Sequence, residues 1–223
     1  WSSDPPPSAP DAGHPDTEIL ERACERLVSR RRGAAAHGAV FLDRDGTLVV
    51  ERHYLSRAED VELLPGVPQA LRALQAAGYP LVVISNQSGV GRGIYSLASV
   101  FDAMATLRRA LRRNGVELDA IYFCPHRPDE GCVCRKPGIG LLQQAAANLN
   151  LSLNRSTVIG DKRIDVMAGH AARARGILVR TGHGMDEQRS LGEESGRPPE
   201  FVADDLGTAA AWVIEHGPEP PPP

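Results

Sequence analysis

No apolar run in this 223-residue chain approaches the roughly 20 residues needed to span a bilayer. The longest, Leu81-Val82-Val83-Ile84, is short enough to be one buried strand. The first residues hold no apolar segment of the signal-peptide kind. Charge is nearly balanced at −3, so the chain lacks the basic excess that draws proteins to nucleic acid or to anionic membranes. No internal repeat is visible, which argues against a repeat architecture. Cysteine is scarce and unevenly placed: of four, Cys124, Cys132 and Cys134 crowd together and Cys24 stands apart. These absences leave a cytoplasmic protein as the expectation, with no nucleic-acid partner and no membrane partner; a monomer is the expected state, though no residue pattern speaks to it.

What is present suits one domain with tails, since 42% apolar residues are enough for a real core. Residues 1–38 read as a disordered Pro/Ser/Asp-rich tail followed by a short helix over 17–32. Residues 218–223, almost all proline and glutamate, read as a second tail. Between them, 39–217 alternates strand and helix. Strands are expected at 39–42, 81–85, 120–123, 156–160, 176–180 and 200–203, and helices at 66–78, 96–114, 138–149, 164–174 and 205–216. Pro65-Gly66 opens the first helix and Gly78 closes it. Residues 183–198 read as a polar loop. This alternation predicts an α/β fold, a doubly wound, mostly parallel sheet with helices on both faces.

Parallel strands bring their C-terminal ends to one edge, where such folds build their sites. Four polar clusters fall at or near that edge. They are Asp43-Arg44-Asp45-Gly46-Thr47, Ser85-Asn86-Gln87, Arg135-Lys136-Pro137, and Gly160-Asp161-Lys162 with Asp165. An uncompensated carboxylate is costly at a strand end unless it binds something. Asp43 and Asp161 meeting at one edge would repel unless a cation lay between them, and oxygen-only ligands favour Mg²⁺. A phosphate would supply further oxygens, with Lys136 and the Ser85 hydroxyl holding the rest of it.

These four motifs, in this order over roughly residues 39–182, resemble the haloacid-dehalogenase (HAD) superfamily of phosphatases. The resemblance implies a Rossmann-like core of that type. It implies that Asp43 is the nucleophile that takes the phosphoryl group, and that Asp45 is the acid and then the base. Asp43, Asp161 and the backbone carbonyl of Asp45 would hold Mg²⁺, Ser85 and Lys136 would bind the phosphate, and Asp165 would orient the lysine or the metal shell.

Cys124-x-His126-x₅-Cys132-x-Cys134 offers three thiolates and an imidazole. That is a closed tetrahedral set, so its zinc would be structural and would pin a loop ahead of Arg135 and Lys136. This cluster just before Arg-Lys-Pro resembles the branch holding D-glycero-D-manno-heptose 1,7-bisphosphate phosphatases and histidinol-phosphate phosphatases. The loop Asn86–Gly93 is similar to the heptose members. About 40 residues separate the first two motifs, too few for a large cap domain. The expected substrate is a small sugar bisphosphate, because Arg44, Arg52, His53, Arg92, Arg127 and Arg135 outnumber Glu51, Glu59 and Asp60 in the nearby loops. Asn86, Arg92 and Arg135 join Ser85 and Lys136 as candidate substrate contacts. Three other readings remain at this point: histidinol-phosphate hydrolysis, an inactive interaction module on the same scaffold, and a small structural zinc protein.

Overall fold

In a computed structural model, the protein is described over residues 37–55, 57–190 and 196–217. The tails and the helix expected over 17–32, with Cys24, lie outside the described residues. Six strands form one sheet: β1 Val40–Leu42, β2 Leu81–Asn86, β3 Ala120–Cys124, β4 Thr157–Gly160, β5 Arg175–Val179 and β6 Phe201–Ala203. Their order is β3-β2-β1-β4-β5-β6, and every pairing is parallel. The two expected strand ends that carry Asp43 and Asp161 are therefore neighbours, with Leu42 opposite Ile159.

The helices are α1 Val67–Ala76, α2 Leu97–Arg113, α3 Gly140–Leu149, α4 Arg163–Ala171, α5 Gly184–Arg189 and α6 Leu206–His216. Alternate strand residues feed two cores. Val40, Leu42, Val83, Phe123 and Ile159 pack with Leu71, Leu107 and Val213 from α1, α2 and α6. Phe41, Val82, Ile84, Tyr122 and Val158 pack with Leu142, Ala145 and Ala168 from α3 and α4. Strands buried on both faces explain the unbroken apolar runs of the sequence.

The expected polar loop over 183–198 is corrected in its first half, where α5 forms. Gly184 alone is buried in that helix, so it carries no apolar stripe. What favours it is charge: Asp186 and Glu187 stand in the first turn and Arg189 in the last.

Candidate functional site

At the C-terminal edge of β1, the chain turns sharply after Asp43. The amides of Leu48 and Val49 both bond to the Arg44 carbonyl. Gly46, at φ +77°, and Gly182, at φ +56°, sit against each other and against Asp161 Oδ2. A Cβ at either would lie well inside contact distance of that oxygen, so the two glycines make room for the Asp161 carboxylate. The Thr181 hydroxyl donates to the Gly46 carbonyl at 2.6 Å and ties the turn to the end of β5.

The buried side chain of Lys136 crosses to this turn. Its Nζ lies 2.5 Å from Asp43 Oδ1, 2.6 Å from Asp165 Oδ1 and 2.9 Å from the Ile84 carbonyl. The Asn86 amide clamps the Lys136 backbone, accepting from its N–H at 3.0 Å and donating to its carbonyl at 3.1 Å. Burial disfavours the ammonium, but Asp165 and Asp43 outweigh it and hold the Lys136 pKa above its ordinary range. Asp161 is fully buried. Its Oδ2 accepts the His183 amide at 2.8 Å and its Oδ1 has no hydrogen-bond partner among the described residues. Burial first, then the Asp43 charge, push its pKa up to about 8. Burial likewise pushes Asp165 up to about 6, against the pull of Lys136. Asp43, Asp161 and Asp165 each offer an oxygen, all within 4.8 Å of one another. An orphaned buried carboxylate oxygen in such a set fits a hard divalent cation.

Asp45 lies beside this set, its carboxylate held by Arg44. Burial pushes its pKa up, opposed by Arg44 and reinforced by Asp43. Asp43, Asp45, Lys136 and Asp165 line a cavity of about 310 Å³ whose walls also include Glu51, His53, Tyr54, Ser85, Gln87, Tyr95, Arg135, Lys162 and His183.

The second constellation stands beside β3. Sγ of Cys124 lies 3.5 Å from that of Cys132 and 3.2 Å from that of Cys134, and His126 Nδ1 lies 3.2 Å from Cys134 Sγ. A tetrahedron of thiolates around zinc at about 2.3 Å has edges of about 3.8 Å, so the donor set fits that ion. The Cys134 thiol bonded to Cys124 pulls the Cys124 pKa down to about 6, while the same contact and burial push Cys134 up. Several thiolates can share this space only with a cation among them. The loop also braces the cavity: the Gln87 amide donates to the Cys124 carbonyl at 2.7 Å and the Gly91 amide to the Pro125 carbonyl at 2.9 Å.

The structure thus brings together Asp43, Asp45, Ser85, Asn86, Arg135, Lys136, Asp161 and Asp165, and separately the four cysteine and histidine donors. It does not bring Arg92 to the cavity. That residue lines a shallow groove with Ile94, Arg127, Pro128 and Asp129. The basic excess counted from the sequence also shrinks. Arg44 is committed to Asp45, Arg52 to Glu62 and Arg127 to Asp129. Sequence reasoning missed Glu51, Lys162 and His183 as a group at the mouth, where Glu51 Oε2 lies 3.4 Å from Lys162 Nζ and 3.7 Å from His183 Nε2. No spacing signal links these three, which come from separate strand ends. Gln87 was visible within Ser-Asn-Gln, but its partners were not.

The fold and the carboxylate–lysine site define a HAD-type hydrolase. The HAD-hydrolase-like family profile matches residues 133–209. A D-glycero-D-manno-heptose-1,7-bisphosphate 7-phosphatase of Thermosynechococcus vestitus is 41% identical over 189 residues, 80% of this chain and 96% of that protein. A D-glycero-beta-D-manno-heptose-1,7-bisphosphate 7-phosphatase of Helicobacter pylori is 42% identical over 64% of this chain and 83% of its own length. The solved D,D-heptose 1,7-bisphosphate phosphatase of B. bronchiseptica, complexed with magnesium and phosphate, superposes with a TM-score of 0.74 at 32% identity, over 81% of this chain and 99% of that one. The chain belongs to the HAD-like hydrolases, within the heptose-1,7-bisphosphate 7-phosphatase branch.

Proposed function

We propose that this chain is a Mg²⁺-dependent phosphatase that removes the C7 phosphate of D-glycero-D-manno-heptose 1,7-bisphosphate. The observation that carries the chemistry is Asp43 standing 2.5 Å from a buried Lys136 and within 4.8 Å of Asp161 and Asp165. An anionic nucleophile and a phosphate ester repel, and the Lys136 ammonium offsets that repulsion at both. Bound through Asp43, Asp161 and the Asp45 carbonyl, Mg²⁺ would neutralise further charge on the transferring group. An Asp43 carboxylate oxygen attacks phosphorus as the bond to the C7 oxygen breaks. Asp45 gives its proton to that oxygen, which leaves as the alcohol. Water then attacks the aspartyl-phosphate, Asp45 takes the water's proton, and Asp43 is freed as inorganic phosphate departs. Ser85 and Lys136 hold the phosphoryl oxygens through both halves, and Asp165 holds Lys136. Asn86 acts through the Lys136 backbone.

The second phosphate of the substrate calls for a cation without a partner. Arg135 lines the cavity with a buried guanidinium nitrogen, Nη1, that makes no hydrogen bond among the described residues. A cationic substrate such as histidinol phosphate would instead need a free acid. Among the described residues, the one lining acid outside the reacting set, Glu51, already faces Lys162. Arg92 does not line this cavity. Zinc on Cys124, His126, Cys132 and Cys134 is structural in this reading. A reducing cytoplasm would keep those thiols available, and a monomer suffices because the groups invoked all lie in one chain. The test is phosphate release from heptose 1,7-bisphosphates of both anomers, fructose 1,6-bisphosphate and histidinol phosphate. The heptose esters are expected to turn over fastest, and release from histidinol phosphate alone would overturn the substrate assignment.

A further inference from the structure

Gln87 has a place in the cavity that the reaction above does not use. It is buried, and all four of its hydrogen-bonding directions are occupied. Its Nε2 donates to Asp45 Oδ2 at 3.0 Å and to Ser85 Oγ at 2.7 Å. Its Oε1 accepts from Tyr95 Oη at 2.9 Å and from Arg44 Nη2 at 3.2 Å. An amide can be turned over at little cost when its surroundings are ambivalent, but these are not. Reversal would set Oε1 against the Asp45 carboxylate and the amide nitrogen against the Arg44 guanidinium, which can only donate. Asp45, which only accepts, and Arg44, which only donates, therefore decide which way Gln87 points, and the Tyr95 hydroxyl, able to do either, braces it.

Two consequences follow from that orientation. The Asp45 carboxylate is held on three sides: Arg44 Nε reaches Oδ1 at 2.9 Å, Arg44 Nη2 reaches Oδ2 at 2.7 Å, and Gln87 completes the set. It cannot rotate without giving up charge-assisted bonds. The Ser85 oxygen, meanwhile, accepts from Gln87. A hydroxyl that accepts there turns its own proton elsewhere, and Ser85 lines the cavity. A buried arginine and a buried glutamine are costly to a fold that could have used apolar residues, and here they serve the geometry of two reacting groups.

We propose that Gln87, oriented by Arg44 and braced by Tyr95, is a positioning residue that sets Asp45 for proton transfer to the leaving oxygen and at the same time directs the Ser85 hydroxyl to donate to the phosphate. The inference rests on the phosphatase reading and deepens it. An alkyl phosphate leaves as an alkoxide and needs the proton from Asp45. An aryl phosphate such as p-nitrophenyl phosphate leaves as a stabilised phenolate and barely needs it. A residue that merely supports the fold would affect both esters alike.

The test is Gln87→Met, compared with the unaltered enzyme on a sugar bisphosphate and on p-nitrophenyl phosphate, with inorganic phosphate as a competitive inhibitor. The expected loss in kcat/KM, which reads phosphoryl transfer to Asp43 and not the hydrolysis of the aspartyl-phosphate that both esters share, is about 10²-fold on the sugar ester, the lower end of what a positioned acid contributes, and under about 10-fold on the aryl ester. The inhibition constant of phosphate is expected to rise several-fold as the Ser85 proton loses its direction. Tyr95→Phe removes only a hydroxyl at the cavity edge and is expected to give the same ratio more weakly, which keeps the test open if the methionine variant does not fold. Equal losses on the two esters, or an unchanged phosphate inhibition constant, overturn the inference. An unaltered enzyme that hydrolyses neither ester overturns the phosphatase reading instead.

Discussion

The Asp161 carboxylate has one oxygen on a backbone amide and the other, among the described residues, on no hydrogen-bond donor, in a fully buried position. Its pKa of about 8 lies above the unfolded value, so without metal the folded state binds a proton that the unfolded state releases near pH 4. Stability from that proton is full below the unfolded pKa and is lost as the pH rises from about 4 to about 8. Mg²⁺ competes with the same proton. Added Mg²⁺ is therefore expected to raise the melting temperature more at about pH 8.5 than at about pH 6, and an equal or reversed effect would count against Asp161 as a ligand. Asp43→Asn should cut turnover by at least about 10³-fold, as removal of a nucleophile does, while zinc content and melting temperature stay near those of the parent. Surviving activity would rule out the covalent route. At Gly182, a methyl group would press on Asp161 Oδ2. Gly182→Ala should weaken the stabilisation that Mg²⁺ confers, read as a smaller shift in melting temperature.

At the scale of elements, the site depends on loops that the strands deliver and that other loops hold. The Cys–His loop runs from the end of β3 into Arg135 and Lys136, and its backbone accepts bonds from Gln87 and Gly91. It therefore braces the loop after β2 as well as the lysine. Cys132→Ser should lower the bound zinc below one per chain and the melting temperature by about 5–10 °C, since metal binding adds to folding energy. Activity should fall with it, because Lys136 loses its support; a variant with normal turnover and no zinc would separate the loop from the site. The elements themselves were largely legible in the sequence. Strand runs such as Leu81–Ile84 are apolar because both faces are covered, and Gly66 and Gly78 mark the ends of a helix as backbone geometry requires. The short α5 was not legible, because a helix with one buried residue leaves no periodic trace.

Over the whole molecule, two cores hold the sheet from opposite sides and keep its C-terminal edge in register. Leu107 of α2 is fully buried in the larger core. Leu107→Ala should cost about 2–5 kcal/mol of unfolding free energy, measured by denaturant titration. It touches none of the reacting groups, so turnover by the folded fraction should change little. Among the described residues, no helix is long and apolar enough to cross a membrane. The strand order β3-β2-β1-β4-β5-β6 puts β1 and β4 at the centre, and that order alone brings Asp43 beside Asp161.

By itself, the sequence marked out the candidate residues for the chemistry. Asp43, Asp45, Ser85, Lys136, Asp161 and Asp165 stand in motifs whose residue types and order suit phosphate and a divalent cation, and the cysteine–histidine spacing is a local property of one short segment. The tertiary structure decided which charges are free. Arg44, Arg52 and Arg127 look alike as letters, yet each is engaged by an acid, whereas Arg135, in the cavity wall, has no acid partner among the described residues. It also decided that Arg92 stands outside the cavity and that Gln87 joins Asp45 to Ser85. The physical reason is range: backbone conformation and metal-ligand spacing act over a few residues, but the pairing of a charge depends on every loop that the sheet brings to the same edge.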